Sequence, residues 1–169
     1  VTIGGTETIS SASSIPESAW VLSAGALDTP TPHEELTIEF LRGVPVSLNG
    51  KEANSVELIE ELETIGSRFG IGRGVHLGDT ILGTKGRVAF EAPSAEILLT
   101  CHRELEKLTL SALQQRVKDQ VSQAYGDFIH EGKQLDPVCR DIEALLESSQ
   151  TQVTGLAHCL LRPGHLFIT

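Results

Sequence analysis

The first strong pattern in this chain is an alternation of hydrophobic and polar residues, and it predicts a β-hairpin. Residues 36–41 read LTIEFL and residues 44–48 read VPVSL, with Arg and Gly between them at 42–43. Asn and Gly at 49–50 form a second turn signal. Alternating runs separated by such pairs are typical of antiparallel strands.

Helix-start signals divide the later sequence into four predicted helices. Segments 54–57 and 111–114 begin with Asn or Ser and end with Glu or Gln, which is the spacing of a capping box. Pro93 suits a first helical position, and Asp-Pro at 136–137 starts a shorter helix. The predicted inward-facing residues are Val56, Ile59, Leu62, Ile65 and Phe69 in the first helix, Leu98, Cys101, Leu105 and Leu108 in the second, Leu113, Val117, Val121, Ala124, Tyr125 and Phe128 in the third, and Val138, Ile142 and Leu145 in the fourth.

The remaining pattern predicts strands near the middle and the C-terminal end. Short strands are expected around 81–82 and 88–90, and residues 153–161 and 166–169 form a hairpin pattern with its turn at 162–165. Strands that flank a run of helices favour an α+β class. The expected architecture is an antiparallel sheet covered by several helices.

Composition limits the function classes. The chain has 169 residues, 40% of them hydrophobic, which is enough for a single domain over 1–169 with its own core. A net charge of −10 argues against a nucleic-acid partner. No apolar run reaches the length of a membrane span, and no signal peptide is visible. Because the chain starts at Val1, lacks Met and stops within a strand pattern, we interpret it as a fragment.

The cysteines and histidines carry no disulfide or metal signature. Cys101, Cys139 and Cys159 are odd in number and lack CxxC spacing, so we expect buried free thiols in a reducing cytoplasm. The histidines never form an i, i+4 pair. We therefore predict no metal site and no catalytic residue in this chain.

Three glycine-containing stretches fall short of nucleotide-binding motifs. Residues 70–77 lack the third glycine of the dinucleotide fingerprint. The P-loop spacing at 78–83 is followed by a lysine one residue late and by Gly86 instead of a hydroxyl residue. Residues 23–30 resemble a pyrophosphate loop but have Ala and Pro where it needs Gly and Ser. We expect no cofactor to bind this chain.

The best candidate for a binding site is the segment 78–93, GDTILGTKGRVAFEAP. Its lysine, arginine and two carboxylates could complement an amino acid that carries both an α-carboxylate and an α-ammonium group. A solvated turn between two short strands is the alternative interpretation. The segment favours binding over catalysis, because it contains no general base with an orienting partner and no activated nucleophile.

The order of short motifs along the chain resembles the argininosuccinate synthase family. The resemblance extends over nearly the whole chain. It is carried by 70–73 (GIGR), Gly83, Lys85, Arg87, Glu91 and Pro93, and by the similar stretches 1–7 (VTIGGTE), 45–50 (PVSLNG), 95–106, 130–132 (HEG) and 150–155.

This resemblance implies the second domain of an enzyme of arginine biosynthesis. Such an enzyme joins L-citrulline to L-aspartate at the expense of ATP, through a citrullyl-adenylate, and releases argininosuccinate, AMP and diphosphate. ATP and magnesium would be bound by an N-terminal nucleotide domain outside this chain, and a long C-terminal helix would also lie outside it. The chain itself would form one wall of the citrulline site, carry contacts of a cytoplasmic homotetramer, and be inactive alone.

Carried over position by position, the resemblance also implies the residues that contact citrulline. A glutamate and a tyrosine that touch citrulline in the family correspond to Gly78 and Phe90. Asp79, one residue along, is expected to replace the missing carboxylate, and water or another donor to replace the phenol hydroxyl. The candidate substrate-binding residues are Thr2, Gly78, Asp79, Lys85, Arg87 and Phe90.

Two other functions stay open. The departures at Gly78, Gly86 and Phe90 also fit a paralogue with a different ureido or amino-acid substrate. The apolar stripe of the helix predicted over 111–131 fits either a core or a contact with another subunit. In the second case the chain would be a noncatalytic oligomerisation module.

Overall fold

The computed structural model describes residues 2–3, 12–28, 30–79 and 85–169, and for residues 2, 3, 79 and 85 it describes the backbone. Its strands and helices confirm the α+β class. In chain order they are β1 (Thr2–Ile3), β2 (Glu34–Leu41), β3 (Val44–Leu48), β4 (Lys51–Glu52), α1 (Ser55–Arg68), β5 (Arg73–Asp79), β6 (Lys85–Glu91), α2 (Pro93–Thr109), α3 (Ala112–His130), α4 (Pro137–Gln150), β7 (Gly155–Arg162) and β8 (His165–Ile168), with a 3₁₀ turn at Glu17–Ala19.

The larger sheet is antiparallel and has the strand order β4-β3-β2-β7-β8. Both predicted turns form where expected. Arg42 and Gly43 have φ of 52° and 80°, and Asn49 and Gly50 have φ of 52° and 78°. Two successive positive φ values match the twist of a tight hairpin, which explains why these residue pairs stand there.

Helices α1 and α2 cover one face of the larger sheet and close the core. The predicted sheet-under-helices arrangement is therefore confirmed. The core consists of Leu36, Ile38, Phe40, Leu48, Leu58, Leu62, Ile65, Phe69, Ile71, Ile97, Cys101, Leu105, Leu110, Val153, Ala157, Cys159 and Leu161. All three cysteines are buried free thiols, as predicted.

The predicted helix starts are confirmed by their caps. Asn54 accepts hydrogen bonds from the amides of Val56 and Glu57 at 3.0 and 3.1 Å, and the Glu57 carboxylate accepts from the Asn54 amide at 3.1 Å. Ser111 and Gln114 form the same reciprocal pair at the start of α3.

Parts of the predicted inward stripes were wrong. Val56 is 64% exposed and Leu108 is 84% exposed, because α1 and α2 turn Leu58 and Ile97 toward the sheet instead. In α4, Val138 and Leu145 are half exposed, whereas Cys139 and Ile142 are buried. Helix α3 has no buried residue, so its stripe does not belong to the core of this chain.

A second, three-stranded antiparallel sheet has the order β1-β6-β5. The strand predicted around 88–90 is confirmed and extends over all of β6. The strand predicted around 81–82 lies outside the described residues. Strand β5 was missed, because Gly74 and Gly78 interrupt its apolar pattern.

Within the described residues, no helix combines the length and hydrophobicity that crossing a lipid bilayer requires.

Candidate functional site

The three-stranded sheet brings the candidate positions together. Strands β5 and β6 form a long antiparallel pair in which Gly78 lies opposite Gly86. On the other side of β6, Thr2 of β1 lies opposite Phe90. Since β6 is paired on both sides, all six predicted substrate-binding positions belong to this one small sheet.

Strand alternation divides these positions between two faces, because successive residues point to opposite sides of a sheet. We name them the Phe90 face and the Arg73 face. The register places Thr2, Gly78 and Phe90 on the first face and positions 79, 85 and 87 on the second. In full, the Phe90 face comprises positions 2, 74, 76, 78, 86, 88 and 90, and the Arg73 face comprises positions 3, 73, 75, 77, 79, 85, 87, 89 and 91.

The Phe90 face is shallow because three of its seven positions are glycine. Phe90 is 37% exposed, and its ring fills the space above its cross-strand partner Gly74. A Cβ atom at Gly74 would lie 2.3 Å from Phe90 Cζ, so only glycine fits beneath this ring. The glycines therefore create a recess on an otherwise regular sheet.

Residues 12–28 pack on one end of the Arg73 face, at Arg73 and Glu91, and leave Leu77 of the same face 66% exposed. Glu91 holds this loop in place. The Glu91 carboxylate is 1% exposed. It accepts hydrogen bonds from the amides of Val21, Leu22 and Ser23 at 2.8, 2.9 and 2.9 Å, and from the Ser23 hydroxyl at 2.5 Å. A glutamate engaged in this way fixes a loop on the sheet.

Arg73, directly opposite Glu91, binds the same loop. Its guanidinium donates to both carboxylate oxygens of Glu17 at 2.7 and 2.8 Å, and its Nε donates to Ser23 Oγ at 2.7 Å. The guanidinium carbon also lies 5.0 Å from the centre of the Trp20 ring, a cation–π geometry. The planar fork of arginine suits this combination of partners.

These contacts shift the ionisation of two carboxylates. Burial opposes ionisation of Glu91, but the Ser23 hydroxyl and the three backbone amides outweigh it and hold the pKa of Glu91 below its usual value. The hydrogen bonds from Arg73 lower the pKa of Glu17. Both groups are therefore stable anions that anchor the loop at neutral pH.

The loop contacts change the interpretation of several charged residues. Glu91, which the sequence suggested as one of two substrate-complementing carboxylates, is enclosed by its own chain. Arg87 donates from Nη1 to the Ser13 carbonyl at 2.9 Å. Ser23, the first residue of the stretch that resembles a pyrophosphate loop, binds Glu91 and Arg73. These contacts hold the loop against the Arg73 face at Arg73, Arg87 and Glu91.

A cleft of about 410 Å³ begins beside the Phe90 face and separates the small sheet from α2 and the β7–β8 turn. Phe90 and Gly72 line it on one side, Glu96 and Thr100 of α2 on another, and His165 on the third. Phe90, which is 37% exposed, therefore belongs both to the Phe90 face and to the lining of this cleft. No group of three or more His, Cys, Asp or Glu residues suited to a metal ion occurs among the described residues.

Comparison with known proteins identifies the family of this chain. The family model described as "Arginosuccinate synthase C-terminal domain" matches residues 4–169, so the class is that of a synthase C-terminal domain. Argininosuccinate synthase of Xanthomonas campestris pv. campestris is 41% identical over 151 residues, which are 89% of this chain and 36% of that protein. The synthase of Brevibacillus brevis is 36% identical over 153 residues, 90% of this chain and 36% of that protein.

The chain therefore belongs to the argininosuccinate synthase family. It spans about a third of the length of the curated relatives it matches, since it covers 34% of the Xanthomonas axonopodis pv. citri synthase as well.

Proposed function

We propose that residues 1–169 supply one wall of the citrulline site of an argininosuccinate synthase. The complete enzyme would convert ATP, L-citrulline and L-aspartate into argininosuccinate, AMP and diphosphate. The observation that carries the proposal is the open Phe90 face, a strand surface lowered by three glycines and bordered by a cleft, in a chain that matches the family over nearly all its length.

The Phe90 face would act by shape. A ring that stands beside a glycine-lined recess offers an apolar surface to the aliphatic part of an amino acid and leaves its polar ends free to reach hydrogen-bonding groups. Thr2 and Gly78, on the same face, would border the same ligand. This wall needs an opposite wall, which we assign to a nucleotide domain outside these residues.

The charged candidates would act from the edge of the site. Asp79 and Lys85 lie opposite each other at the ends of β5 and β6, in register with the Arg73 face. Because this is the end of the paired region, we assign both to the rim of the citrulline site. Arg87, which binds the Ser13 carbonyl, would support the rim through the loop.

ATP and magnesium would be held by the same nucleotide domain, and this chain alone would be inactive. We place the enzyme in the cytoplasm, where its three buried thiols would stay reduced. Calorimetry with ATP and residues 1–169 tests the assignment. Tight ATP binding to these residues would contradict a nucleotide site elsewhere.

The citrulline wall is tested by Phe90→Ala in the complete polypeptide that contains residues 1–169. We expect the KM for citrulline to rise about tenfold, equivalent to roughly 1.4 kcal/mol, with the KM for ATP unchanged. Leu77→Ala is the matched control, because Leu77 is 66% exposed on the opposite face of the same sheet. Equal citrulline KM values for Phe90→Ala and the parent would contradict the proposal.

Asp79→Ala in the same polypeptide tests the assignment of Asp79 to the rim of the citrulline site. Loss of a charge-assisted hydrogen bond costs roughly 1.5 to 3 kcal/mol, so we expect a citrulline KM at least tenfold higher. An unchanged KM would remove Asp79 from the site while leaving the Phe90 wall in place.

A noncatalytic assembly module is the second candidate, and helix α3 favours it. None of its 19 residues is buried, and Leu113 and Val117 are 74% and 46% exposed. Together with Leu145 of α4 they line a groove of about 380 Å³ between the two helices. A second copy of this chain is the occupant we assign to it, in keeping with the homotetramer that the family resemblance implies.

The two candidates differ in one measurable respect. If assembly is the sole function, the complete polypeptide will self-associate but will not form AMP from ATP, citrulline and aspartate. Leu113→Glu should shift the sedimentation of either protein to a smaller species, because it places a charge in an apolar contact. Synthase activity in the parent protein would rule out the noncatalytic module.

A further inference from the structure

His76 occupies the second ring position on the Phe90 face. It is an exposed residue of β5 that lies opposite Val88. A Cβ atom at Gly78 would lie 2.5 Å from His76 Nε2, so the imidazole fills the space that a side chain at 78 would take. The face therefore has one ring above each of two glycines, Phe90 above Gly74 and His76 above Gly78.

The imidazole is the one hydrogen-bonding group among the described side chains of this face, because the others are Val88, Phe90 and the glycines. No side-chain hydrogen bond joins the His76 imidazole to another described residue. Whichever tautomer it adopts, one ring nitrogen carries a proton that it can donate. A polar donor thus stands unoccupied beside an apolar ring on an accessible surface.

The spacing of the two rings suits an extended ligand. Gly74 and Gly78 are four residues apart along β5, which corresponds to about 13 Å of strand. A ligand lying along the strand would meet the Phe90 ring with an apolar segment and the His76 nitrogen with a polar end. An amino acid with a long, partly aliphatic side chain has both features.

We infer that His76 is a specificity-determining residue of this site and donates a hydrogen bond to the carboxylate of the amino-acid substrate. The inference rests on the proposed function, which places that substrate on the Phe90 face. Carboxylate oxygens are the strongest acceptors that such a substrate offers to an imidazole N–H.

The test uses the complete polypeptide with citrulline and with citrullinamide, in which a neutral amide replaces the carboxylate. We expect His76→Ala to raise the KM for citrulline about tenfold, with kcat and the KM for ATP unchanged, and to change the KM for citrullinamide less than twofold. His76→Gln, which retains an N–H donor, should restore most of the citrulline affinity. His33→Ala, another exposed histidine, is the control.

Each other outcome overturns the inference. An equal loss with citrulline and citrullinamide would mean that His76 acts through the structure rather than on the carboxylate. An unchanged KM for citrulline in His76→Ala would remove His76 from the site, and the proposed function would survive if Phe90→Ala still raised that KM. Unchanged values in both variants would overturn the inference and the proposed function together.

Discussion

Arg73 and Glu91 lie directly opposite each other in the small sheet and are joined through one hydroxyl group, because Arg73 Nε donates to Ser23 Oγ and Ser23 Oγ donates to Glu91. Their partners Val21, Leu22 and Ser23 lie 50 to 70 residues away in the sequence. The role of the pair is therefore structural, because it ties a long loop to the back of the candidate site.

The Ser23 hydroxyl is the first element of this link to test. Ser23→Ala removes a donor to a buried carboxylate and should lower the free energy of unfolding by about 1 to 3 kcal/mol. Urea denaturation measures the change. Ser13→Ala is the matched control, since Ser13 contributes its backbone carbonyl to Arg87 and its exposed side chain is dispensable. Equal losses in the two variants would contradict the link.

Glu91 should make stability depend on acidity. Its folded-state pKa lies below the ordinary value of 4.5, so the unfolded chain binds the proton more readily. The contribution of Glu91 is complete above about pH 4.5 and is lost as the pH falls through the folded-state pKa. Unfolding free energies measured between pH 3 and 7 should show this loss in the parent chain.

Two substitutions check that the acid sensitivity comes from Glu91. In Glu91→Gln the unfolding free energy should be lower at neutral pH and should fall less on acidification, because the titrating group is gone. Glu61→Gln, at an exposed position of α1, should keep the parent's pH dependence. If the unfolding free energy of Glu91→Gln depended on pH as that of the parent does, Glu91 would not be the source of the acid sensitivity.

Gly72 is predicted to be irreplaceable. Its φ is +76°, and a Cβ atom there would lie 2.5 Å from the carbonyl of Ala92, where β6 meets α2. Gly72→Ala should lower the free energy of unfolding by about 2 kcal/mol or more, because backbone and not a flexible side chain must move. Thermal denaturation will show the change, and a neutral result would mean that the approach is looser than described.

Gly126→Ala is expected to raise the free energy of unfolding, and thermal denaturation measures this change as well. Gly126 lies within α3, and apart from its two chain neighbours and the backbone of its own helix no atom lies within 4 Å of its potential Cβ. Alanine should stabilise the helix by about 0.5 to 1 kcal/mol, since glycine is the poorer helix former.

Helix α3 is attached to the core through a buried carboxylate. Glu106 of α2 is 5% exposed; it accepts from Gln150 Nε2 at 2.7 Å and pairs with Lys118 Nζ at 3.1 Å. Lys118→Met should cost about 2 kcal/mol, because the carboxylate keeps its burial and loses its counter-ion. Arg103→Met, which breaks the exposed pair with Asp119, should leave the unfolding midpoint nearly unchanged.

Features decided by neighbouring residues were predictable from the sequence. The capping pairs 54–57 and 111–114 and the turns at 42–43 and 49–50 depend on side chains and φ values within four residues, and all four formed as expected. The exposure of Val56 and Leu108 was not predictable in this way. Helical spacing identifies a stripe, but the direction in which the stripe points depends on the sheet that the helix meets.

The candidate site needed contacts that no local pattern contains. The motif residues of the site indicated the family. Strand β5 was not recognisable, because it forms through its pairing with β6 and its glycines interrupt the apolar pattern of a strand. Once the register of β5 and β6 is known, the alternation of side chains along each strand places Phe90 and His76 on one face and Arg73 on the other. His76 had one sequence signal, its position between Gly74 and Gly78, which has meaning only when the register is known.

The recess on the Phe90 face is made by missing side chains and not by a bent backbone. Because the Phe90 and His76 rings occupy the space above Gly74 and Gly78, the shape of this face depends on each ring together with its glycine, and the ladder of β5 and β6 depends on the backbone. In the proposed citrulline wall, ligand preference would therefore change by substitution of a ring together with its glycine, and the fold that presents them would stay the same.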